Sequence, residues 1–261
     1  MAGWRIIDSH CHHDFPVFDA ARPQLVASAQ EAGVSHIVIP AVVAKDFKRV
    51  VDTASAYPNV SFALGLHPCF MQVHQAEDLQ TLVDYVTTNP VCAIGEIGLD
   101  FYIADYDAVS QISLLKAQLK IAKAQRLPVL LHVRKAHDIM LKTLREVKFE
   151  QGGIVHAFSG SLQQAEQFIK MGFKLGFGGA MTYPRANKLR KLVATLPLES
   201  IVLETDAPDM PISGRQGEFN QPAYVADVLK EIAGLRAESI ECIAATTTAS
   251  VEQLLSLGSR Q

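Results

Sequence analysis

The sequence predicts an α/β protein built as a single (β/α)₈ TIM barrel. Two observations lead there. Short β-branched or apolar runs alternate with longer segments of helical period along the chain, the pattern of repeated βα units and a parallel sheet. The histidines and carboxylates that interrupt the apolar runs fall at the carboxyl ends of the expected strands, which in such a barrel open into one shared mouth. A chain of 261 residues with 49% hydrophobic content is long enough for one sizeable core, so one domain spanning 1–261 is expected.

The eight expected strands are 5–8, 36–41, 61–66, 91–95, 128–132, 153–156, 174–177 and 201–204. The helices expected between them are 24–32, 46–57, 78–88, 107–125, 136–148, 162–171 and 186–196, with 223–233 and 238–257 closing the barrel. The signal is strongest over 107–125, where Ile112, Leu115, Leu119 and Ala122 recur at three- and four-residue spacing.

Composition narrows the function classes. A net charge of -3 gives no sign of a non-specific nucleic-acid coat. The one basic cluster, Arg185, Lys188, Arg190 and Lys191, reads as a solvated helix face or as part of a phosphate-binding rim. Cys11, Cys69, Cys92 and Cys242 have no Cys-x-x-Cys spacing, which points to reduced packing thiols. No apolar run reaches the roughly 18 residues of a membrane span, and the first strand begins almost at once, so a cytoplasmic protein without a signal peptide is expected.

The first strand runs into Asp8-Ser9-His10-Cys11-His12. If the strand stays extended, alternation puts Asp8, His10 and His12 on one face, where two imidazoles can hold a divalent ion. Other strand ends supply His67, Glu96, His132, His156, Glu204 and Asp206. Several imidazoles and carboxylates facing one cavity need a cation to compensate them. This mixture of oxygen and nitrogen donors suits ions such as Mg²⁺, Mn²⁺ or Zn²⁺. There are too many candidate ligands for one ion, and Glu96, in a Gly-rich apolar stretch, is placed to bridge two divalent metal ions.

At these residues the chain resembles the TatD-type metal-dependent DNases, within the amidohydrolase-like barrel enzymes, over nearly its whole length. The landmarks are Asp8-x-His10-x-His12, Gly65-Leu66-His67-Pro68, Gly95-Glu96-Ile97-Gly98-Leu99-Asp100, His132-x-Arg134, His156-Ala-Phe-Ser-Gly160 and Glu204-Thr205-Asp206-Ala207-Pro208. Phe158 to Gln164, Thr182 to Ala186 and Glu204 to Pro211 look closest to the YjjV branch. The resemblance implies that His10, His12, Glu96 and Asp206 hold one metal, and that Glu96, His132 and His156 hold the other. It implies catalytic roles for Asp206, which would orient or deprotonate the attacking water, and for the bridging Glu96. Glu204 is either an orienter behind the ligands or a buried hydrogen-bonding carboxylate. His67 and Arg134 match positions near substrate, and Tyr183, Arg185 and Asn220 would extend a backbone-binding groove. The family commonly carries an Asn before the last helical stretch, whereas this chain reads Thr246-Thr-Thr-Ala-Ser250.

The leading expectation is a divalent-metal-dependent deoxyribonuclease that hydrolyses DNA, exonucleolytically from single-stranded ends, with a metal-activated water. The alternative keeps the metals and changes the bond, to an amide or ester of a small metabolite or an aminoacyl-tRNA. A metal-bound scaffold without turnover is the third reading, disfavoured by the complete ligand set. Single-stranded DNA is the expected partner; no membrane and no obligate protein partner are implied.

Overall fold

The computed structural model describes residues 3–257; the remaining ends of the expected 1–261 domain lie outside them. Among the described residues, eight parallel strands pair in chain order: β1 (Ile6–Asp8), β2 (Val34–Pro40), β3 (Val60–Leu64), β4 (Ala93–Asp100), β5 (Val129–Arg134), β6 (Gly153–Val155), β7 (Phe173–Phe177) and β8 (Ile201–Leu203). The seam between β1 and β8 is closed just beyond the strands. Ser9 N–H donates to the Leu203 carbonyl at 2.9 Å. Thr205 donates its backbone N–H to Asp8 Oδ1 at 2.9 Å and its hydroxyl to Asp8 Oδ2 at 2.6 Å.

Residue alternation divides the strands between two cores. Ile37, Ile39, Leu64, Leu131, Val155, Leu175 and Leu203 join the large cluster that includes the helices. Ile7, Val38, Ala63, Ala93, Leu130, Ile154 and Val202 form a second, fully separate cluster inside the ring of strands. Val251 and Leu255 of the last helix, α10 below, complete that inner cluster, so one end of the barrel is plugged by apolar packing and the opposite end is left for polar groups.

The helices are α1 (Arg22–Glu31), α2 (Phe47–Ser55), α3 (Asp78–Thr88), α4 (Ala108–Gln125), α5 (His137–Glu146), α6 (Leu162–Lys170), a short turn α7 (Gly179–Thr182), α8 (Asn187–Thr195), α9 (Val225–Ala233) and α10 (Ile240–Leu255). The expected helix 107–125 starts one residue later, because Asp107 is its cap and accepts from the N–H groups of Val109 and Ser110. The apolar period in α4 is interrupted by two buried glutamines one heptad apart, Gln111 and Gln118. Gln111 exchanges hydrogen bonds with both backbone groups of Asp100, at 2.8 and 3.0 Å. Gln118 does the same with Leu66, at 2.7 and 3.0 Å. One helix thereby fixes the exits of β3 and β4, where His67 and Asp100 stand.

The strand expected at 91–95 instead runs from Ala93 to Asp100. Its glycines favour a loop in isolation, but pairing with β5 from Ile97↔Leu131 to Asp100↔Arg134 keeps it extended past Glu96. The structure has no helix long and apolar enough to cross a membrane among the described residues.

Two consequences can be measured. Asp8 is fully buried and carries the seam, so Asp8→Ala should leave the Thr205 donors unpaired and cost about 1–3 kcal/mol in chemical denaturation. Burial lowers His13, His36 and His137 from 6.5 to about 4; nearby cations, Arg22, Arg5 and Lys188 respectively, add to the effect. These groups bind protons more readily unfolded than folded. Their contribution is therefore complete above pH 6.5 and is lost as pH falls from there toward about 4. Each displaced unit is worth about 1.4 kcal/mol at most. Calorimetry should show the melting temperature dropping through that window, and a flat profile would contradict this assignment.

Candidate metal centre

The open end of the barrel gathers five imidazoles around one carboxylate. Glu96 emerges from the middle of β4 and is 2% exposed, so its charge must be met by neighbours and not by water. Its two oxygens face different groups. Oε2 lies 3.2 Å from His10 Nε2 and 3.6 Å from His12 Nε2. Oε1 lies 3.1 Å from His132 Nδ1 and 3.2 Å from His67 Nε2. Asp206 stands opposite: Oδ1 is 3.6 Å from His10 Nε2 and 3.5 Å from His12 Nε2, and Oδ2 is 3.6 Å from His156 Nε2. The rings of His10 and His156 stack at 3.8 Å.

The second nitrogen of several rings is engaged behind the cluster, which sets the ring orientation. His12 Nδ1 lies 3.2 Å from the Pro40 carbonyl, leaving Nε2 for the centre. His156 Nδ1 lies 3.2 Å from Glu204 Oε1, and Glu204 also accepts from Ala157 N–H at 2.7 Å. A Cβ at Gly176 would overlap the Glu204 carboxylate, so only glycine there admits it. Ala157 at φ 43° and Asp206 at φ 59° both adopt left-handed backbone, uncommon for residues with a Cβ. Asp206 is held by its N–H donating to the His10 carbonyl at 2.9 Å.

The electrostatics are those of a charge cluster short of a counter-ion. Burial pushes the Glu96 carboxyl up, but the His67 and His10 imidazoles outweigh it and hold the group well below its usual range. Burial lowers His10 to about 3 and His12 to about 4, with the His156 charge adding to both, so both rings present lone pairs. Burial would lower His156 too, but Asp206 and Glu204 raise it, while burial raises Asp206 against the pull of His156. Neither ring nitrogen of the fully buried His10 makes a hydrogen bond, and His156 Nδ1 and Glu204 Oε2 are likewise without one. Such orphaned donors and acceptors are what a coordinated cation would satisfy. Three groups hold ligand atoms within 4.8 Å of one another: His10, His12 and Asp206; His10, Glu96 and His156; and His67, Cys69 and His132. This His, Asp and Glu donor set fits divalent ions.

Asp8 departs from the expectation that it shares a face with His10 and His12. The strand ends at Asp8, and its carboxylate turns to Thr205 and not into the centre. Asn220 also departs from the groove expected of it: it is 1% exposed, and its amide donates to the carbonyls of Thr205 and Met210 at 2.8 and 3.1 Å, bracing the loop behind Asp206. Asp100 was not singled out from the sequence, yet its Oδ2 lies 2.9 Å from His132 Nε2 and 3.4 Å from Cys69 Sγ. Its place at the end of the Gly-Glu-Ile-Gly-Leu-Asp run was the available signal.

The outer residues form a rim. Arg134 is exposed, with its guanidinium 3.8 Å from the centre of the Tyr102 ring. Arg185 lies 5.4 Å from the centre of the Tyr183 ring, and Tyr183 donates its hydroxyl to the Pro211 carbonyl at 2.9 Å. Within the basic cluster Lys188 donates to the Ser159 carbonyl at 2.8 Å and Arg190 pairs with Glu231 at 3.0 Å. A cavity of about 420 Å³ opens beside the centre, bounded by His132, Arg134, His156, Phe158, Met181 and Asp206.

Comparison with known proteins agrees with this geometry. The chain is 46% identical over 242 residues to the uncharacterized metal-dependent hydrolase YjjV of Escherichia coli strain K12, covering 92% of this chain and 93% of that one. It matches the crystal structure of that TatD homologue with a TM-score of 0.94 at 44% identity, covering 97% and 98% of the two chains. It is also 31% identical to the 3'-5' ssDNA/RNA exonuclease TatD of Escherichia fergusonii, covering 92% of this chain and 95% of the other. The model of the TatD related DNases matches residues 7–256. A barrel whose mouth carries this buried cluster, matched from end to end, places the chain in the TatD family of metal-dependent hydrolases.

Proposed function

We propose that the protein is a divalent-metal-dependent deoxyribonuclease that removes nucleotides from single-stranded DNA ends. The observation that carries this reading is the division of Glu96: one oxygen toward His10 and His12, the other toward His132, so that one carboxylate can serve two cation positions. In this assignment His10, His12, Glu96 and Asp206 hold one ion, and Glu96, His132 and His156 hold the second. Bound there, two ions of the Mg²⁺, Mn²⁺ or Zn²⁺ class would polarise a phosphoryl oxygen and acidify water.

The chain's own groups supply the rest. Asp206 lies across from Glu96 with 15% of its side chain exposed, so it can reach a water at the mouth and accept its proton. Glu204 keeps His156 turned so that Nε2 faces inward. Arg134, stacked on Tyr102 at the cavity edge, offers a planar pair of N–H donors to a phosphate, and the tyrosine face is available to a base. Arg185 and Tyr183 provide a second cation and ring further round the rim. His67, besides its place beside Glu96, is close enough to the mouth to meet substrate. The named activity of the Escherichia fergusonii relative supports a nucleic-acid substrate.

A second reading has one observation in its favour. The cavity walls are largely apolar, with Phe158, Phe177 and Met181 among them, which suits an amide or ester of a small metabolite or the end of an aminoacyl-tRNA.

Three outcomes test the proposal. Metal-stripped protein should not cleave end-labelled single-stranded DNA, and Mg²⁺, Mn²⁺ or Zn²⁺ should restore cleavage. Asp206→Asn should lower kcat by about 10²- to 10⁴-fold, the range lost with a general base. Substrate binding through about two phosphate contacts should weaken roughly sevenfold between about 50 and 200 mM salt. Restored hydrolysis of model esters with no cleavage of DNA would move the assignment to the second reading.

A further inference from the structure

Cys69 takes part in no step above, yet it sits among ligating groups. It lies in the 3₁₀ turn Pro68–Phe70, where its backbone N–H donates to His67 Nδ1 at 3.1 Å. Its Sγ is 3.4 Å from Asp100 Oδ2, the same oxygen that is 2.9 Å from His132 Nε2. One nitrogen of His67, one of His132 and Cys69 Sγ all lie within 4.8 Å of one another. A tetrahedral ion with bonds of about 2.0–2.3 Å needs its ligands about 3.3–3.8 Å apart. A convergence of about 1 Å, within the reach of side-chain rotation at a half-buried cysteine, completes that arrangement.

We propose that His67, Cys69 and His132 form a separate site for a thiophilic divalent cation such as Zn²⁺ or Cd²⁺, with Asp100 as the fourth ligand. Sulfur with two imidazoles and one carboxylate selects such ions over Mg²⁺. On binding, the thiol proton leaves to solvent and the Asp100 oxygen exchanges its S–H donor for the ion.

The site has a consequence for the reaction, which rests on the assignment of His132 to the Glu96 centre. His132 turns Nδ1 to Glu96 and Nε2 to Asp100. A neutral imidazole offers one lone pair at a time. A cation beside Cys69 that takes Nε2 therefore withdraws His132 from the position beside Glu96. Thiophilic metal in excess becomes an inhibitor acting through Cys69.

The test titrates Co²⁺ into the full-length, Mg²⁺-equilibrated protein and reads the near-ultraviolet thiolate-to-cobalt charge-transfer band. The band should appear in the wild type and in Cys242→Ser and be absent in Cys69→Ser, with one fewer Co²⁺ bound per chain in the latter. A band that persists in Cys69→Ser, or no band in the wild type, overturns the site. In parallel, Cd²⁺ should depress Mg²⁺-supported cleavage of single-stranded DNA by about tenfold or more in the wild type and by less than about twofold in Cys69→Ser. Equal inhibition of both proteins overturns the competition. A wild type that cleaves no DNA rejects the nuclease assignment, while the charge-transfer band still decides the cation site.

Discussion

The mouth of the barrel is organised by the burial of one carboxylate. Glu96 has almost no contact with water, and its charge is opposed by imidazoles arriving from the ends of four other strands. Each imidazole must be aimed, and the aiming groups lie one layer out: Pro40 for His12, Glu204 for His156, Asp100 for His132. That outer layer is held in turn by backbone and helix, by Gly176 leaving room for Glu204 and by Gln111 holding Asp100. Rigidity at the centre is thus inherited from contacts that never touch the centre. The left-handed backbone at Ala157 and Asp206 shows that these contacts prevail over local preference.

The fold was legible because its signal is periodic. Alternating runs near residues 36, 61, 128 and 174 are buried on both faces, and apolar strands of that kind need no partner to be recognised. Boundaries were less legible where tertiary pairing overrode composition, as at Gly95 to Asp100, whose glycines read as loop and whose hydrogen bonds with β5 make it strand. Within the site, His10, His12, His132, His156, Glu96 and Asp206 were visible as polar breaks at strand ends, and the structure brings all six together. Asp8 was misplaced because the strand pattern was extended three residues too far. Asp100, Gln111 and Gln118 left no separate trace: a buried polar side chain bonded to backbone has no spacing rule that a single sequence can display.

Around the cluster the surface is mixed and not uniformly basic. Two of the four cations in the Arg185 to Lys191 segment are occupied with Ser159 and Glu231, which leaves Arg134 and Arg185 as the cations stacked on rings near the mouth. Ring-and-cation pairs of this kind recognise flat, anionic chains with little regard to sequence. The apolar wall of Phe158 and Met181 lies beside them.

The seam joining Asp8 to Thr205 spans 197 residues of chain. His10 and His12 lie just past one side of that seam and Asp206 just past the other. During synthesis the two imidazoles emerge almost first, and the carboxylate that completes their half of the centre emerges only after four-fifths of the chain has been made. Until then the barrel is an open sheet whose first and last edges have not met. The metal-holding mouth therefore marks the completion of the whole ring: a truncated chain lacking the last strand would retain most of the imidazoles but none of the geometry that makes them act together.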